Sequence, residues 1–251
     1  MLGWDAGTDW APSAEDERPR LRLQLLGTFM LVRDGGRVAV PARTQRLLAF
    51  LALNGPTPRP VIMGALWPNL GEQHARGCLR TMMWRLNRDE PRLFGPAGDT
   101  LVLRPDIAVD THAFTDSARG LLQGSFSAAA KCAVLGIPGD LLPGWCDDWV
   151  IFERERLRQL RLHALDALAS RVAADGRYAD ALETAIESAR LEPLRESAHR
   201  TIIAIHLAEN NVAEALRHYE LFRELLGTEL GIKPSPELTG MLSAAVPVAG
   251  R

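Results

Sequence analysis

The chain has little of what membrane proteins, secreted proteins and most enzymes carry. Its 251 residues contain no apolar run of about 18 or more, the length a transmembrane helix needs. Basic residues are missing where a signal peptide would begin. Residues 1–17 hold five acids and no Lys or Arg, with no apolar stretch among them, so no export signal and a cytoplasmic location are expected. Cysteine is scarce: Cys78, Cys132 and Cys146 form no CxxC pair, which points to reduced, packed thiols and away from a disulfide framework.

The marks of catalysis are missing too. His74, His112, His163, His199, His206 and His218 make no HExxH or other metal-ligand spacing. His199 and His206 are seven apart, on one helix face but separated by two turns, and no Cys or carboxylate completes a site. Neither a GxSxG elbow nor a GxxxxGK[ST] phosphate loop occurs, so no serine nucleophile and no ATP dependence are expected. Asp147-Asp148 resembles a carboxylate pair for acid–base work, yet acids at a helix start have a simpler cause in the helix dipole. No enzyme activity, metal or cofactor is expected.

What is present is unevenly charged. Lysines number two against 27 arginines. Residues 18–115 hold 14 Arg and 7 acids, a balance of +7, whereas residues 116–251 hold 15 basic and 19 acidic groups, a balance of −4. A basic block beside an acidic one suggests a polyanionic partner for the first, nucleic acid in particular. Scattered solvating arginines are the alternative on charge alone.

The two blocks also differ in hydrophobic period. Leu21, Leu23 and Leu25 alternate with Arg22, Gln24 and Leu26, and a second short strand is expected over 29–32. Asp34-Gly35-Gly36 makes a tight turn into a third strand over 38–40. Helical spacing takes over at 44–53, where Leu47, Leu48, Leu51 and Ala52 form a stripe, and the Gly- and Pro-rich run 55–60 stops it. A short helix over 61–66 ends at Trp67-Pro68, and a longer one follows over 72–88. Gly95, Pro96 and Gly98 mark a hairpin tip between Leu93-Phe94 and 101–103. Strands, three helices and a terminal hairpin give the order of an α+β winged helix-turn-helix domain with an N-terminal sheet.

The second block reads as all-α. Asp147 or Asp148 starts a long helix reaching about Ala174. Beyond it, Tyr178-Ala179-Asp180-Ala181-Leu182 recurs as Val212-Ala213-Glu214-Ala215-Leu216, an offset of 34 residues. Asp175-Gly176 and Asn210-Asn211 precede the two copies, and Pro193 and Gly227 are expected to end their helices. Thirty-four is the tetratricopeptide period, in which stacked helix pairs bury a continuous core.

The segment 72–88 carries the chemistry. At 100° per residue, Ala75, Cys78, Leu79, Met82 and Leu86 gather on one side with Met83 at its flank. Gln73, Gly77, Arg80 and Trp84 fall opposite, flanked by Arg76, Thr81 and Arg88, and Arg85 adds to the basic character. No acid follows Glu72 on this face. Arginine can bond guanine O6 and N7 in the major groove or clamp phosphates, and Thr81 or Trp84 can touch a thymine methyl. Gly77 lets the backbone approach closely. A solvated amphipathic helix is the plain alternative. Arg43 and Arg46, at the start of the first helix, are candidates to hold a phosphate or to bond acidic loops. Arg104, just past the hairpin, is a candidate for a minor-groove or backbone contact.

Over about 21–242 the chain resembles bacterial regulators of the antibiotic-regulatory-protein type, which join an OmpR-like winged helix to a bacterial transcriptional activation domain. In the first half the resemblance rests on Leu25-Leu26-Gly27, Gln45-Arg46-Leu47-Leu48, Ala65-Leu66-Trp67, and Ala75-Arg76 with Leu79-Arg80-Thr81 and Arg85-Leu86. Val109-Asp110-Thr111-His112-Ala113-Phe114 marks the junction. The second half carries Leu141-Leu142-Pro143-Gly144-Trp145, Asp148-Trp149, Glu153-Arg154-Glu155-Arg156-Leu157, Leu194-Arg195-Glu196-Ser197-Ala198-His199, Glu229-Leu230-Gly231-Ile232 and Pro234-Ser235-Pro236. The resemblance implies an activator that binds direct repeats in double-stranded promoter DNA as side-by-side copies, about 10–11 bp or a multiple apart. It further implies recruitment of RNA polymerase with its sigma factor, with Trp67, Pro68, Asn69, Leu70 and Gly71 facing the polymerase, and control of a secondary-metabolite (antibiotic) gene cluster. Arg80, Met82 and Trp84 replace the smaller polar side chains frequent in the family, so no target sequence carries over.

The expected organisation is an acidic flexible N-terminus (1–20), a winged-helix DNA-binding domain (21–113), a tetratricopeptide-like activation domain (114–245) and a tail (246–251). The competing reading is a tetratricopeptide-type adaptor whose degenerate winged helix makes only protein contacts.

Overall fold

The computed structural model describes residues 21–89, 93–95, 98–137 and 139–245. The expected N-terminal segment, the tail and Pro96 of the hairpin tip lie outside them. Among the described residues the strands are β1 (Leu21–Gln24), β2 (Met30–Arg33), β3 (Gly36–Val38), β4 (Thr57–Pro58), β5 (Thr100–Leu101) and β6 (Ile107–Val109). The helices of the first half are α1 (Ala42–Asn54), α2 (Arg59–Leu66) and α3 (Glu72–Asp89). Those after β6 are α4 (Asp110–Leu122), α5 (Ala128–Leu135), α6 (Asp148–Ala174), α7 (Tyr178–Leu191), α8 (Glu196–Ala208), α9 (Val212–Leu230) and α10 (Pro236–Ala245). The chain divides into two compact units between Asp110 and Thr111.

The first unit is α+β. Its sheet has the order β3-β2-β1-β6, with β1 antiparallel to β2 and parallel to β6. Leu23 and Leu31 face each other across β1 and β2 and are both buried, so the alternation in sequence becomes one core-facing surface. Asp34 and Gly35 have φ of 46° and 84°, the two positive values that a two-residue hairpin turn matching the sheet twist requires. The alternation pattern extends to Leu25, but β1 stops at Gln24. The Asp110 carboxylate takes the next donors instead: Leu25 N–H donates to both of its oxygens at 3.0 and 2.9 Å, and Leu26 N–H to one at 2.9 Å.

The helix α1 starts two residues before the expected Thr44, because Pro41 leads into it and its carbonyl accepts from the Thr44 and Gln45 N–H groups. The run expected only to stop α1 also holds β4, where Thr57 pairs Leu101 and Pro58 pairs Thr100. That short ladder anchors the hairpin, whose arms meet at the Phe94–Leu103 bridge and the Gly95 N–H to Val102 carbonyl bond of 3.0 Å.

The second unit is helical, with α6 packed on α7, α7 on α8, α8 on α9, and α10 on both α8 and α9. Ala181 and Ala215, equivalent positions of the 34-residue repeat, are both fully buried, since a methyl side chain lets neighbouring helices approach closely. Phe222, Leu226, Leu238 and Leu242 fill a core with Ile203, each such burial contributing about 1.5–3 kcal/mol. Gly227 does not end α9. The helix runs through it to Leu230 and closes on Gly231 in the left-handed region, φ 67°, whose N–H donates to the Gly227 carbonyl. An internal glycine costs a helix only about 1 kcal/mol, and the left-handed cap that favours glycine falls four residues later. Nor are the thiols all packed: Cys132 and Cys146 are exposed and Cys78 is half-buried. Among the described residues no helix is long and apolar enough to cross a membrane.

Candidate nucleic-acid interface

Burial divides α3 lengthwise. Ala75, Leu79, Met82 and Leu86 are buried, while Cys78 and Met83 are half-buried at the margin. On the other side Arg76, Arg80, Thr81, Trp84, Arg85 and Arg88 are all exposed, and Gly77 is half-buried among them. Trp84 is 62% exposed, an unusual position for an indole in the absence of a partner. The Arg88 guanidinium carbon lies 5.2 Å from the centre of the Trp84 ring, a cation–π contact that positions both side chains one turn apart. A Cβ added at Gly77 would meet nothing within 4 Å, so the helix surface there is open.

The cations on this face are not equivalent. Arg76 Nη2 sits 2.6 Å from Glu72 Oε1, with both side chains largely in solvent. The Glu/Arg spacing of four residues, a recognised helix pair, is the signal in the sequence for that contact. Arg80 and Arg85 form no ion pair among the described residues. They are the free charges of the face.

The other basic candidates separate. Arg43 is exposed at the start of α1, but Arg46 is half-buried and donates from Nη1 to the Leu66 carbonyl at 3.3 Å. It braces the end of α2. Arg104 forms a two-point pair with Asp106, 2.9 and 2.8 Å, at the solvent-facing base of the hairpin. In the loop between α2 and α3, Pro68, Asn69, Leu70 and Gly71 are exposed, whereas Trp67 is half-buried and its N–H donates to the Met63 carbonyl at 3.0 Å.

One feature has no counterpart in the sequence pattern. A cleft of about 640 Å³ runs between α3, the start of α1 and the β2–β3 edge. Gly77, Thr81 and Arg85 of the exposed face contribute to its lining, as does Trp67. Strand, helix start and helix meet there only through tertiary packing.

No group of His, Cys, Asp and Glu able to hold a metal occurs among the described residues. His199 and His206 do not act together. His199 instead stacks on His218 and Phe222 of α9. Its Nε2 donates to the Pro193 carbonyl at 2.9 Å, so Nδ1 accepts from His218 Nε2 at 3.0 Å. Burial pushes both imidazoles below their ordinary range, His218 to about 4 with help from neighbouring His199.

Comparison with known proteins agrees with this architecture. The family model of the bacterial transcriptional activator domain matches residues 106–244. The chain is 27% identical to the regulatory protein AfsR of Streptomyces coelicolor over 254 aligned residues, covering 90% of this chain and 24% of that protein. It is 25% identical to AfsR of Streptomyces griseus over 240 residues, with the same coverages. It therefore spans about a quarter of the length of these relatives. Among solved structures, Mycobacterium tuberculosis EmbR in complex with a low-affinity phosphopeptide shares the fold with a TM-score of 0.72 at 22% identity, over 90% of this chain and 65% of that one. The domain match takes in more than half of the residues, and the chain belongs to the bacterial transcriptional activator domain family, as a transcription regulator of the antibiotic-regulatory-protein type.

Proposed function

We propose that the chain is a sequence-specific activator that reads double-stranded promoter DNA with α3. The observation that carries this reading is the exposed face of Arg80, Thr81, Trp84, Arg85 and Arg88 on a helix whose other side is core. Arg80 lies at its centre and is unpaired, so it is assigned to a guanine edge, with Thr81 or Trp84 against a thymine methyl. Arg85, Arg88, Arg76 and Arg43 are assigned to phosphates, which position the protein without specifying sequence. Arg46 and Arg104 are assigned as braces.

Copies bind side by side on direct repeats. The loop 67–71 faces RNA polymerase and its sigma factor, and the helical unit supports activation, with a secondary-metabolite gene cluster as the target. The protein acts in the cytoplasm, needs no cofactor and catalyses no reaction. The AfsR relatives, regulatory proteins by name, support a role in gene control.

A gel shift of the full chain on upstream DNA of its own gene neighbourhood, repeated across a salt series, tests this. Binding that weakens steeply with salt, because phosphate contacts release counterions, is expected together with footprints on repeated half-sites. Absent or salt-insensitive binding would leave the first unit a protein-contact module instead.

A further inference from the structure

The cleft beside α3 has the dimensions of a ligand site. Its volume of about 640 Å³ falls within the roughly 300–1,000 Å³ typical of small-molecule pockets. Val38, Val40 and Pro41 line it with half-buried or exposed apolar surface, and Arg43, His74 and Arg85 line it as well. No Asp or Glu is among its lining residues. Neither Arg43 nor Arg85 has an ion-pair partner among the described residues. Phosphate contacts account for the arginines but not for the accessible apolar lining, since a phosphodiester gains nothing from Val38 or Val40. Unpaired cations over apolar surface complement a molecule with an apolar body and an anionic end.

We propose that this cleft binds a small amphipathic acid, an aromatic or aliphatic body bearing a carboxylate or a comparable anion, and that the bound acid competes with DNA. The competition rests on the DNA-reading assignment of α3, because Gly77, Thr81 and Arg85 belong to both surfaces. The binding itself does not. A cleft open beside the reading face lets the concentration of an acidic metabolite set promoter occupancy, since a ligand bound only to the DNA-free form shifts the equilibrium by mass action.

The test uses the full chain and two fluorescent probes with closely related aromatic bodies, 8-anilinonaphthalene-1-sulfonate and uncharged N-phenyl-1-naphthylamine. Saturable binding of the sulfonate, at least about tenfold tighter than the uncharged probe, is expected; tenfold corresponds to about 1.4 kcal/mol. Val40→Glu, which places a negative charge in the apolar lining, and Arg43→Glu, on the exposed start of α1, each weaken the sulfonate by at least about tenfold. Helical circular dichroism identifies a variant that fails to fold, and the other then decides. Saturating duplex DNA displaces the sulfonate.

Equal affinity for the two probes, or wild-type affinity in both folded variants, overturns the proposal. Tighter sulfonate binding after removal of residues 1–17, whose five acids accompany Trp4 and Trp10, assigns the cleft to the chain's own segment and also overturns it. If DNA binds but leaves the sulfonate in place, the competition is overturned. If no DNA binds while the probe pattern holds, the DNA reading fails and the acid site stands.

Discussion

The Asp166 carboxylate of α6 accepts a hydrogen bond from the Arg195 guanidinium at 3.1 Å, across 29 residues of sequence. The same carboxylate accepts from Ser188 Oγ on α7 and Ser197 Oγ on α8, each at 2.9 Å. Three successive helices are thus tied to one side chain. Both members of the ion pair are mostly buried, with 19% and 17% of their side-chain surface exposed. The tie is therefore worth more than a surface pair, because removing one partner strands the others.

Asp166→Ala removes the acceptor of the Ser188 and Ser197 hydroxyls and the carboxylate paired with Arg195, which keeps only the longer contacts to His163 Nδ1 at 3.2 Å and Gln159 Oε1 at 3.5 Å. A loss of about 3 kcal/mol in the stability of the helical unit is expected, read as a lower urea midpoint by far-ultraviolet circular dichroism. Asp166→Asn, which keeps one carbonyl oxygen, loses less. A change under about 1 kcal/mol for the alanine variant would contradict the tie.

Arg154 holds the loop before α6. It donates to the Leu141 and Leu142 carbonyls at 2.8 Å each and to the Trp145 carbonyl at 3.0 Å. A lysine cannot span three acceptors with one ammonium. Arg154→Lys is expected to cost about 2 kcal/mol and to weaken the near-ultraviolet signal of the edge-on Trp145–Trp149 pair, whose ring centres are 6.4 Å apart. An unchanged spectrum would show that the loop holds itself.

Acid should loosen the α8–α9 pair. The folded state lowers the His199 and His218 values from the ordinary 6.5, His218 to about 4. Between those pH values the unfolded chain binds more protons, so the stability is complete above about pH 6.5 and falls as pH drops towards about 4. The groups facing the pair, His206, Arg217 and Glu196, include one carboxylate, which only partly offsets the effect. A loss of roughly 2 kcal/mol across that interval is expected for the wild type, and a flatter profile for His218→Gln. Identical profiles would exclude the histidine pair as the cause.

Two substitutions on α3 separate base reading from phosphate contact. Arg80→Ala should weaken specific binding by about 1–3 kcal/mol and relax the preference at one base pair. Arg76→Ala should weaken binding to all sequences alike, and only slightly, because Glu72 already shares its charge. An intact footprint and affinity for Arg80→Ala would mean that another face of the helix meets the groove.

Gly77→Ala should act oppositely on stability and binding. The added methyl meets nothing within 4 Å and raises helix propensity by about 1 kcal/mol, so thermal stability increases. The same methyl stands on the reading face, and DNA affinity is expected to fall. A gain in both would show that the backbone at Gly77 stays clear of DNA.

What could be read from the sequence was what repeats within a few residues. The period of 3.6 placed Leu79, Met82 and Leu86 on one side of α3 and Arg80 and Trp84 on the other; Asp34-Gly35 announced its turn; the 34-residue offset announced equivalent helices in α7 and α9. These depend on local backbone geometry, which every residue carries with it. Misreadings came where a distant partner intervened. Asp110 ended β1 by taking the Leu25 and Leu26 N–H groups, and α9 ran past Gly227 to the left-handed cap at Gly231.

Tertiary structure alone decided which charges are free. Arg43 and Arg46 look alike in sequence at the start of one helix, yet Arg46 donates to the Leu66 carbonyl while Arg43 is exposed. Two family motifs some 40 residues apart also meet only in the fold, where Glu196 accepts the Ser235 N–H at 3.0 Å and its hydroxyl. The sequence determined the helices, their faces and the order of the two units, because period and turn chemistry are local. The hold of Arg46 on the Leu66 carbonyl, the cleft beside α3 and the Asp166 tie were decided by which elements the folded chain brings within about 3 Å of each other, a distance no spacing along the chain encodes.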